Sequence, residues 1–194
     1  TNLYGLSETG PSHFDDPSKK RWKPGSIGLP LKCNKCKLSK DKEIMIKGKT
    51  VFVGYYKNKK EFNKVVKNGW FYTGDYGYKK KRQYYFLDRK KDIIIKGGIN
   101  IFPSEIENVV YGCENVKECV VFQKINNIGE EEIGVAVVKK LNKINNNKIK
   151  KNIMELCIKN LSKHKIPNYI YIVKQIPKTP SNKLLRRKIR EAFN

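Results

Sequence analysis

The chain has 194 residues, which is room for one medium-sized domain or two small ones. Apolar residues make up 39% of it, enough for a hydrophobic core, and no apolar run approaches the length of a membrane-spanning helix. The net charge is +24, a basic balance that invites comparison with nucleic-acid-binding proteins.

The kind of basic residue argues against a specific nucleic-acid site. Only six of the 42 basic residues are arginine, and the other 36 are lysines spread through every segment. Arginine supplies the bidentate fork that reads phosphates and base edges, whereas lysine is a point charge. We therefore interpret the charge as a solvated surface that can bind polyanions non-specifically.

The first forty residues predict little regular structure. Tyr4–Glu8 is a polar turn, and Pro11–Pro30 is predicted to be a polar loop. Cys33 and Cys36 form a lone C-x-x-C, with no second pair and no histidine at finger spacing, so we do not expect a zinc site. Five cysteines without a disulfide framework favour a reducing compartment, and we expect the cytoplasm.

The next fifty residues predict three strands. They are Glu43–Gly48, which alternates with period two, then Val51–Val53, and finally Gln83–Asp88. Between the second and third strands, aromatic residues precede Thr73-Gly74-Asp75, which taken alone is a plain β-turn.

The centre of the chain predicts a strand, a glycine break and a helix start. Asp92–Ile95 is short and β-branched, which favours a buried strand. Gly97-Gly98 supplies either backbone freedom or a close approach for a ligand, and both interpretations stay open. Ser104 and Glu107 have capping-box spacing, and Gly112 is a predicted helix C-cap.

The remainder predicts a small mixed domain. Its strands are Val116–Phe122, Ile133–Val138 and Tyr169–Val173, and its helix is 148–163, with a low-complexity connection at 142–147. The apolar stripe of that helix is core rather than a site. We give neither His13 nor His164 a catalytic role, because neither has a matching partner.

Three segments together resemble the adenylate-forming ligases: acyl- and aryl-CoA synthetases, luciferases and peptide-synthetase adenylation domains. The longest, residues 89–107, has R-K-K followed by G-G-I-N-I-F-P-S-E-I-E, similar to the family's hinge between a large nucleotide-binding domain and a small C-terminal lid. The second, W-F-Y-T-G-D at 70–75, resembles Trp-x-x-Thr-Gly-Asp. The third, P-K-T-P-S-N-K-L-L-R at 177–186, resembles Pro-x-Thr-x-Ser-Gly-Lys-ϕ-x-Arg, with Asn182 where glycine is usual.

The resemblance covers nearly the whole chain but only the end of the family's pattern. It implies an α+β protein in which residues 1–89 are the mainly β C-terminal portion of the nucleotide-binding (adenylation) domain. Residues 90–194 would be a small α+β lid. The Ser/Thr/Gly-rich phosphate loop and the acyl pocket would belong to the remainder of the adenylation domain, so we expect this chain alone to be inactive.

The resemblance also implies a set of ATP- and AMP-binding residues. In the Y-G-L-S-E motif, Tyr4 would pack against adenine and Ser7 would contact phosphate. Gly5, the residue after Tyr4, would belong to the same nucleotide-binding set. Glu8 would hold Mg²⁺, a hard cation that prefers carboxylate oxygen. Asp75 would bind the ribose hydroxyls, and Arg89 stands at the family position that also reaches the ribose.

The hinge and the C-terminal motif imply two further roles. Lys91 would be the hinge residue about which the lid is re-aimed. Lys183 would reach the active site from the lid during the first step. Gly97 and Gly98 would then form the loop along which the thiol of coenzyme A passes.

The function implied by the resemblance is ATP-dependent acyl-CoA synthesis, with a small-molecule carboxylic acid, ATP and coenzyme A as substrates. The acid would first form an acyl-adenylate and then a thioester. Two alternatives stay open: a basic nucleic-acid-binding module, and a carrier-docking fragment without catalysis of its own. We expect no specific nucleic-acid partner and no transmembrane segment.

Overall fold

The computed structural model describes residues 2–16, 18, 25–141, 145–180 and 182–194. The chain divides into two compact units, residues 1–91 and 92–194. The α+β class predicted from the sequence is confirmed, with strands dominating the first unit. Among the described residues, no helix is both long and apolar enough to cross a membrane.

The first unit is an antiparallel sheet with one short helix. In chain order its elements are β1 (Asn2–Leu6), β2 (Gly10–Asp15), β3 (Ser26–Pro30), β4 (Asn34–Leu38), β5 (Glu43–Gly48), α1 (Lys59–Val65), β6 (Val66–Lys67), β7 (Trp70–Lys80) and β8 (Gln83–Arg89). The strand order is β1-β2-β3-β8-β7-β5-β4, and β6 also pairs with β7. The core of the sheet is formed by Ile27, Ile44, Ile46 and Tyr84.

The polar loop predicted at Pro11–Pro30 is partly wrong, because β2 and β3 lie within it. Ser12 and Asp15 of β2 are buried and have partners on other strands, and the local sequence does not reveal these contacts. Ser12 Oγ donates to the Tyr4 carbonyl at 3.2 Å, and Asp15 accepts from Gln83 Nε2 at 3.1 Å. Residues 17 and 19–24 of this segment lie outside the described residues.

Two strand predictions in the first unit also need correction. β5 does not alternate, because its first four residues are all buried and both faces are covered at that end. Val51–Val53 is a loop rather than a strand: Phe52 N donates to the Glu8 carbonyl at 2.8 Å, and Val53 is 99% exposed. The Phe52 ring instead packs edge-on against Tyr55 and Phe62.

The second unit combines a three-stranded sheet, a small hairpin and three helices. Its elements are β9 (Ile94–Lys96), β10 (Ile99–Ile101), α2 (Pro103–Tyr111), β11 (Val116–Ile125), β12 (Glu131–Lys139), α3 (Asn146–Asn160), β13 (Tyr169–Ile172) and α4 (Arg186–Phe193). β11 and β12 are antiparallel, and β12 and β13 are parallel. The three longer strands and the helix predicted here are confirmed with shifted ends, whereas α4 was not predicted.

Both faces of the second unit's sheet are covered. Cys119 and Val121 of β11 belong to the core that includes Ile106 of α2 and Ile153 of α3. The intervening residues Val120 and Phe122 belong to a second core with Ile189 of α4. This burial explains why β11 and β12 have nearly continuous apolar runs. It also confirms that the stripe of α3 is core.

Three local predictions in the second unit are revised. The strand predicted at Asp92–Ile95 begins only at Ile94, because residues 90–92 form a 3-10 turn. The capping box is wrong: Ser104 lies inside α2, whose N-cap is Phe102 and whose first residue is proline. Asn145 is the N-cap of α3, and the helix begins at Asn146. The predicted connection is therefore reduced to 142–144, which lie outside the described residues.

Candidate active site

A bulge in β7 positions the Thr73-Gly74-Asp75 motif. Two register pairs bracket it: Glu43 with Tyr76, and Met45 with Tyr72. Ile44 alone therefore stands opposite three residues of β7, so the motif is a bulge within a long strand and not the plain β-turn that the motif alone could form. Gly74 adopts φ +71°, and Thr73 Oγ1 donates to the Ile44 carbonyl at 2.8 Å. The bulge changes the direction of the β7 backbone immediately before Asp75.

The Asp75 carboxylate is 3% exposed and has partners from two other strands. Tyr4 of β1 donates its hydroxyl to Asp75 Oδ2 at 2.7 Å, and Arg89 Nε of β8 lies 3.6 Å from Oδ1. Burial raises the pKa of Asp75, while the Tyr4 hydrogen bond and the Arg89 charge oppose the rise. Burial, followed by the nearby Asp75 charge, raises the pKa of the Tyr4 phenol and keeps it a donor.

A second buried carboxylate, Glu43, lies on the other side of the bulge. Its Oε1 accepts from Gly74 N at 2.9 Å, and its Oε2 lies 3.0 Å from Lys90 Nζ. Glu43 is 5% exposed, so the lysine charge offsets the cost of burying the carboxylate. The hydrogen bond that Lys90 donates to Glu43, and then the negative charge of Glu43, raise the pKa of Lys90.

Glu8 follows β1 in a turn and is half-buried. Tyr55 donates its hydroxyl to Glu8 Oε1 at 3.0 Å, which leaves Oε2 without a protein partner among the described residues. Across those residues, no group of three histidine, cysteine, aspartate or glutamate side chains could hold a metal. A single carboxylate nevertheless fits Mg²⁺, which commonly keeps several waters and binds one or two carboxylates together with substrate phosphates.

Gly5 and Ser7 flank this part of the chain. Gly5 lies at a register shift between β1 and β2, where an added Cβ would come within 1.9 Å of the Gly10 carbonyl oxygen. Gly5 is therefore required by the close approach of two backbones. Ser7 is exposed in the turn that ends β1.

In the second unit, Gly97 and Gly98 form the two-residue turn of the β9–β10 hairpin. Their φ angles are +56° and +77°, the combination that a type I′ turn requires. An added Cβ on either residue would have no heavy atom within 4 Å among its described surroundings. The positive φ angles of the turn therefore explain the glycine pair, and no described neighbour requires glycine there.

Lys183 lies on an exposed, hydrogen-bonded loop. Thr179 N donates to the Lys183 carbonyl at 2.8 Å, and Lys183 N donates to Thr179 Oγ1 at 3.0 Å. Asn182 adopts φ +62°, a left-handed conformation that asparagine tolerates, so it can take the place of the usual glycine. The ammonium of Lys183 pairs with no carboxylate in the described part of the chain. Ser181 lies outside the described residues.

An ion-pair cluster fastens the C-terminal end of this loop to the sheet. Arg186 Nη1 lies 2.6 Å from Glu107 Oε1 and also donates to the Val121 carbonyl, and its Nε lies 3.8 Å from Asp92 Oδ2. Val121 N donates to Glu107 Oε1 at 2.7 Å. This cluster explains what Glu107 does in place of a helix cap.

The structure brings together some of the predicted residues and adds others. Tyr4, Asp75 and Arg89 meet, Glu8 lies on the turn after β1, and Lys183, Gly97 and Gly98 belong to the second unit. Sequence reasoning missed Glu43 on β5 and Tyr55 in the loop before α1, which contact motif residues far away in the sequence. Glu43 had one available signal, a carboxylate at the start of an otherwise apolar strand.

Cys36 of the lone C-x-x-C lies on β4, the strand at the edge of the sheet opposite β1. Burial raises the pKa of its thiol to about 12, so it is protonated at neutral pH. A protonated thiol is a poor metal ligand and a poor nucleophile.

A sequence model of the AMP-binding enzyme C-terminal domain matches residues 105–183. This match and the relatives described next agree with the resemblance indicated by the motifs. The chain is similar to the C-terminal part of the adenylate-forming ligases.

Two of the relatives of this chain are coenzyme A ligases. A 2-succinylbenzoate–CoA ligase of Listeria innocua is 36% identical over 192 residues, which cover 97% of this chain and 40% of that protein. A long-chain-fatty-acid–CoA ligase of Bacillus subtilis is 33% identical over 201 residues, covering 97% and 35%. The chain thus spans about 40% of such relatives. These matches support a ligase fragment and do not support a nucleic-acid-binding module.

Solved structures agree with this assignment. The O-succinylbenzoate coenzyme A synthetase of Bacillus subtilis in complex with AMP aligns with a TM-score of 0.82 and 30% identity, covering 97% of this chain and 40% of that one. ATP-bound MatB of Rhodopseudomonas palustris aligns with a TM-score of 0.89, covering 98% and 40%, but at 24% identity it shows the fold alone.

Proposed function

We propose that this chain is the C-terminal part of an AMP-forming acid–thiol ligase that makes an acyl-adenylate and then a coenzyme A thioester. The observation that carries the proposal is the buried carboxylate of Asp75, held by Tyr4 and Arg89 in a chain whose relatives are CoA ligases. Residues 1–89 would complete the nucleotide-binding domain and 90–194 would be the lid. The division of the chain near residue 91 supports this assignment.

ATP would bind to the first unit through its sugar and phosphates. A buried carboxylate that already holds two positively polarised partners can accept from the ribose 2′- and 3′-hydroxyls without reorganising. Asp75 and Arg89 would take this role. Tyr4 would contact adenine, with Gly5 keeping the backbone of β1 close to β2, and Ser7 would contact phosphate.

Glu8 would hold Mg²⁺, with Tyr55 orienting its carboxylate through the hydroxyl hydrogen bond. The ion would supply positive charge beside the triphosphate. An ATP and magnesium complex of the Bacillus subtilis O-succinylbenzoate coenzyme A synthetase, 30% identical to this chain, supports this cofactor.

Lys183 would supply the second positive charge during adenylate formation. Its place on an exposed loop, fastened at one end through Arg186, suits a side chain that must reach into a site and leave it again. Rotation about Lys91 would remove Lys183 and bring Gly97 and Gly98 to the thiol. Hinge closure of this kind lets one cleft serve two steps.

We place the protein in the cytoplasm, since its five cysteines are free thiols, as is typical of a reducing compartment. The acid belongs to the class of the relatives' substrates, an aromatic or fatty carboxylic acid. The thiol is that of coenzyme A rather than of a carrier protein.

Isotope exchange between pyrophosphate and ATP tests the proposal. The complete enzyme should catalyse exchange with one member of a panel of aromatic and fatty acids, and it should form that acid's thioester when coenzyme A is added. The 194-residue chain alone should catalyse no exchange with any acid. Exchange by this chain alone, or none by the complete enzyme with any acid, would refute the proposed division of labour.

A further inference from the structure

Two adjacent cations at the end of β8 pair with two buried carboxylates on either side of the β7 bulge. Arg89 faces Asp75, and the next residue, Lys90, faces Glu43. The two carboxylates are 3% and 5% exposed, while both cations remain about half exposed. The proposed ribose site thus contains a second carboxylate that does not itself face a proposed ligand.

Glu43 is linked to Asp75 in two ways. Its Oε1 accepts from Gly74 N, the amide directly before Asp75, so it holds the backbone of the bulge at 2.9 Å. Its negative charge also opposes ionisation of Asp75, whose carboxylate must be charged to accept both ribose hydroxyls. The hydrogen bond from Gly74 N favours nucleotide binding. The negative charge of Glu43 disfavours nucleotide binding unless this charge is neutralised.

Lys90 supplies that neutralisation, with its Nζ 3.0 Å from Glu43 Oε2. Because Lys90 is half exposed, the pair contributes little to stability by itself. Its value lies instead in allowing Glu43 to hold the bulge without suppressing the charge of its neighbour.

Resting on the proposed nucleotide-binding function, we propose that Glu43 is a positioning residue for Asp75 and that Lys90 is the counter-charge that makes this position usable. Neither residue touches the nucleotide. Glu43 acts through the Gly74 amide and through its charge, and Lys90 acts through Glu43.

The proposal predicts opposite shifts in the pH dependence of ATP binding. The groups that face Asp75 are Tyr4 on β1, Glu43 on β5, Arg89 at the end of β8, and Lys91 beyond it. ATP binding should weaken as the pH falls through the pKa of Asp75. Lys90→Met leaves the Glu43 charge unbalanced and should move the midpoint of this loss to higher pH. Glu43→Gln keeps an acceptor for Gly74 N, removes the charge and should move it to lower pH.

The experiment measures ATP binding to the complete enzyme by calorimetry between pH 5 and 8. Since protonation of ATP itself is common to all variants, only differences between proteins count. Lys90→Arg, which preserves the pair, should keep the wild-type midpoint. In the Glu43→Gln background, Lys90→Met should produce little further shift, because its partner is already uncharged.

The outcomes separate the inference from the function on which it rests. If the wild-type enzyme binds no ATP, the proposed function fails. If the wild-type enzyme binds ATP, the inference alone fails in two cases. In the first, Lys90→Met and Glu43→Gln shift the midpoint in the same direction. In the second, neither variant shifts it. Should Glu43→Gln not fold, an upward shift in Lys90→Met that is absent from Lys90→Arg still supports the proposal, and equal midpoints overturn it.

Discussion

Asp75 and Lys183, the side chains with the most sharply defined proposed roles, lie in opposite surroundings. Asp75 is 3% exposed and contacts Tyr4 and Arg89 from two other strands. Lys183 is exposed on a loop, and its own backbone groups are hydrogen-bonded to the backbone and the hydroxyl of Thr179. A group that binds the same ligand part throughout is best held rigidly, whereas a group needed for one step is best kept on a movable support.

The largest effect on the contrast between a rigidly held Asp75 and a movable Lys183 is expected at Lys91, the proposed hinge residue. Lys91→Pro should stop thioester formation, because a fixed φ would block the backbone rotation that we propose removes Lys183. Adenylate should still form and should accumulate on the enzyme. Rapid-quench measurement of adenylate and thioester in the complete enzyme checks this. Normal thioester formation in the variant would rule out Lys91 as the pivot.

Replacing the exposed lysine should affect rate rather than affinity. Lys183→Ala removes one preorganised positive charge, and the loss of one such donor costs roughly 10²–10³ in rate. Adenylate formation in the complete enzyme should slow by this factor while the dissociation constant for ATP changes little. Lys178→Ala is a matched control, because Lys178 is on the same loop but pairs with Glu118 at 2.6 Å.

The stability of the first unit, in which Asp75 is buried, should be sensitive to acid. His13 is fully buried between the rings of Tyr4 and Tyr84, and its Nε2 has no hydrogen-bond partner among the described residues. Burial lowers its pKa to about 4, so its unfolded form takes up a proton first as the pH falls. The stability that depends on neutral His13 is therefore complete above pH 6.5 and is lost towards pH 4, by about 3 kcal/mol.

Urea unfolding of the 194-residue chain, followed by tryptophan fluorescence, measures this loss. Both tryptophans, Trp22 and Trp70, belong to the first unit, so the signal reports on that unit. His13→Phe keeps an aromatic ring between the two tyrosines but cannot take up a proton. The pH dependence should be smaller in the variant by the stated amount, and identical dependence in both proteins would refute the assignment.

Asp75→Asn should weaken ATP binding without changing which step is slow. Hydrogen bonds to a charged group contribute about 1.5–3 kcal/mol, so the dissociation constant should rise about 10- to 100-fold. A nucleotide lacking both ribose hydroxyls provides the control, since it should bind the wild-type enzyme and the variant equally. A similar loss for both nucleotides would show that Asp75 acts on something other than the ribose.

The smallest expected effect lies in the glycine turn. Gly98→Ala and Gly97→Ala should each destabilise the second unit by about 1 kcal/mol, because both positions need positive φ. Only Gly98→Ala should also raise the KM for coenzyme A, since its side chain would narrow the path of the thiol. Equal KM values in the two variants would remove Gly98 from that path.

The two units differed in how far their structure could be predicted. In the second unit, regular spacing of Ile149, Ile153 and Cys157 predicted α3, and apolar runs predicted β11 and β12. These elements are stabilised by apolar burial, which leaves a periodic pattern in the sequence. α4 was missed because Ile189 is its one buried residue and five of its eight residues are charged.

The first unit depends on polar contacts between residues far apart in the sequence. Tyr4 and Asp75 are 71 positions apart, and Asp15 and Gln83 are 68 apart. Such contacts leave no local period, so β1 and β2 were predicted as turn and loop. The motifs still identified Tyr4, Asp75 and Arg89, but not the bulge or Glu43, since both arise from strand register.

The central claim is that Lys183 serves only the first step. Thioester formation by the Lys183→Ala variant tests this claim most directly. Purified acyl-adenylate and coenzyme A are supplied to the complete enzyme, and thioester formation is followed in a single turnover. If Lys183 serves only the first step, Lys183→Ala should form the thioester at a nearly wild-type rate, although the same protein should form adenylate roughly 10²–10³-fold more slowly. Equal slowing of both steps would contradict the account.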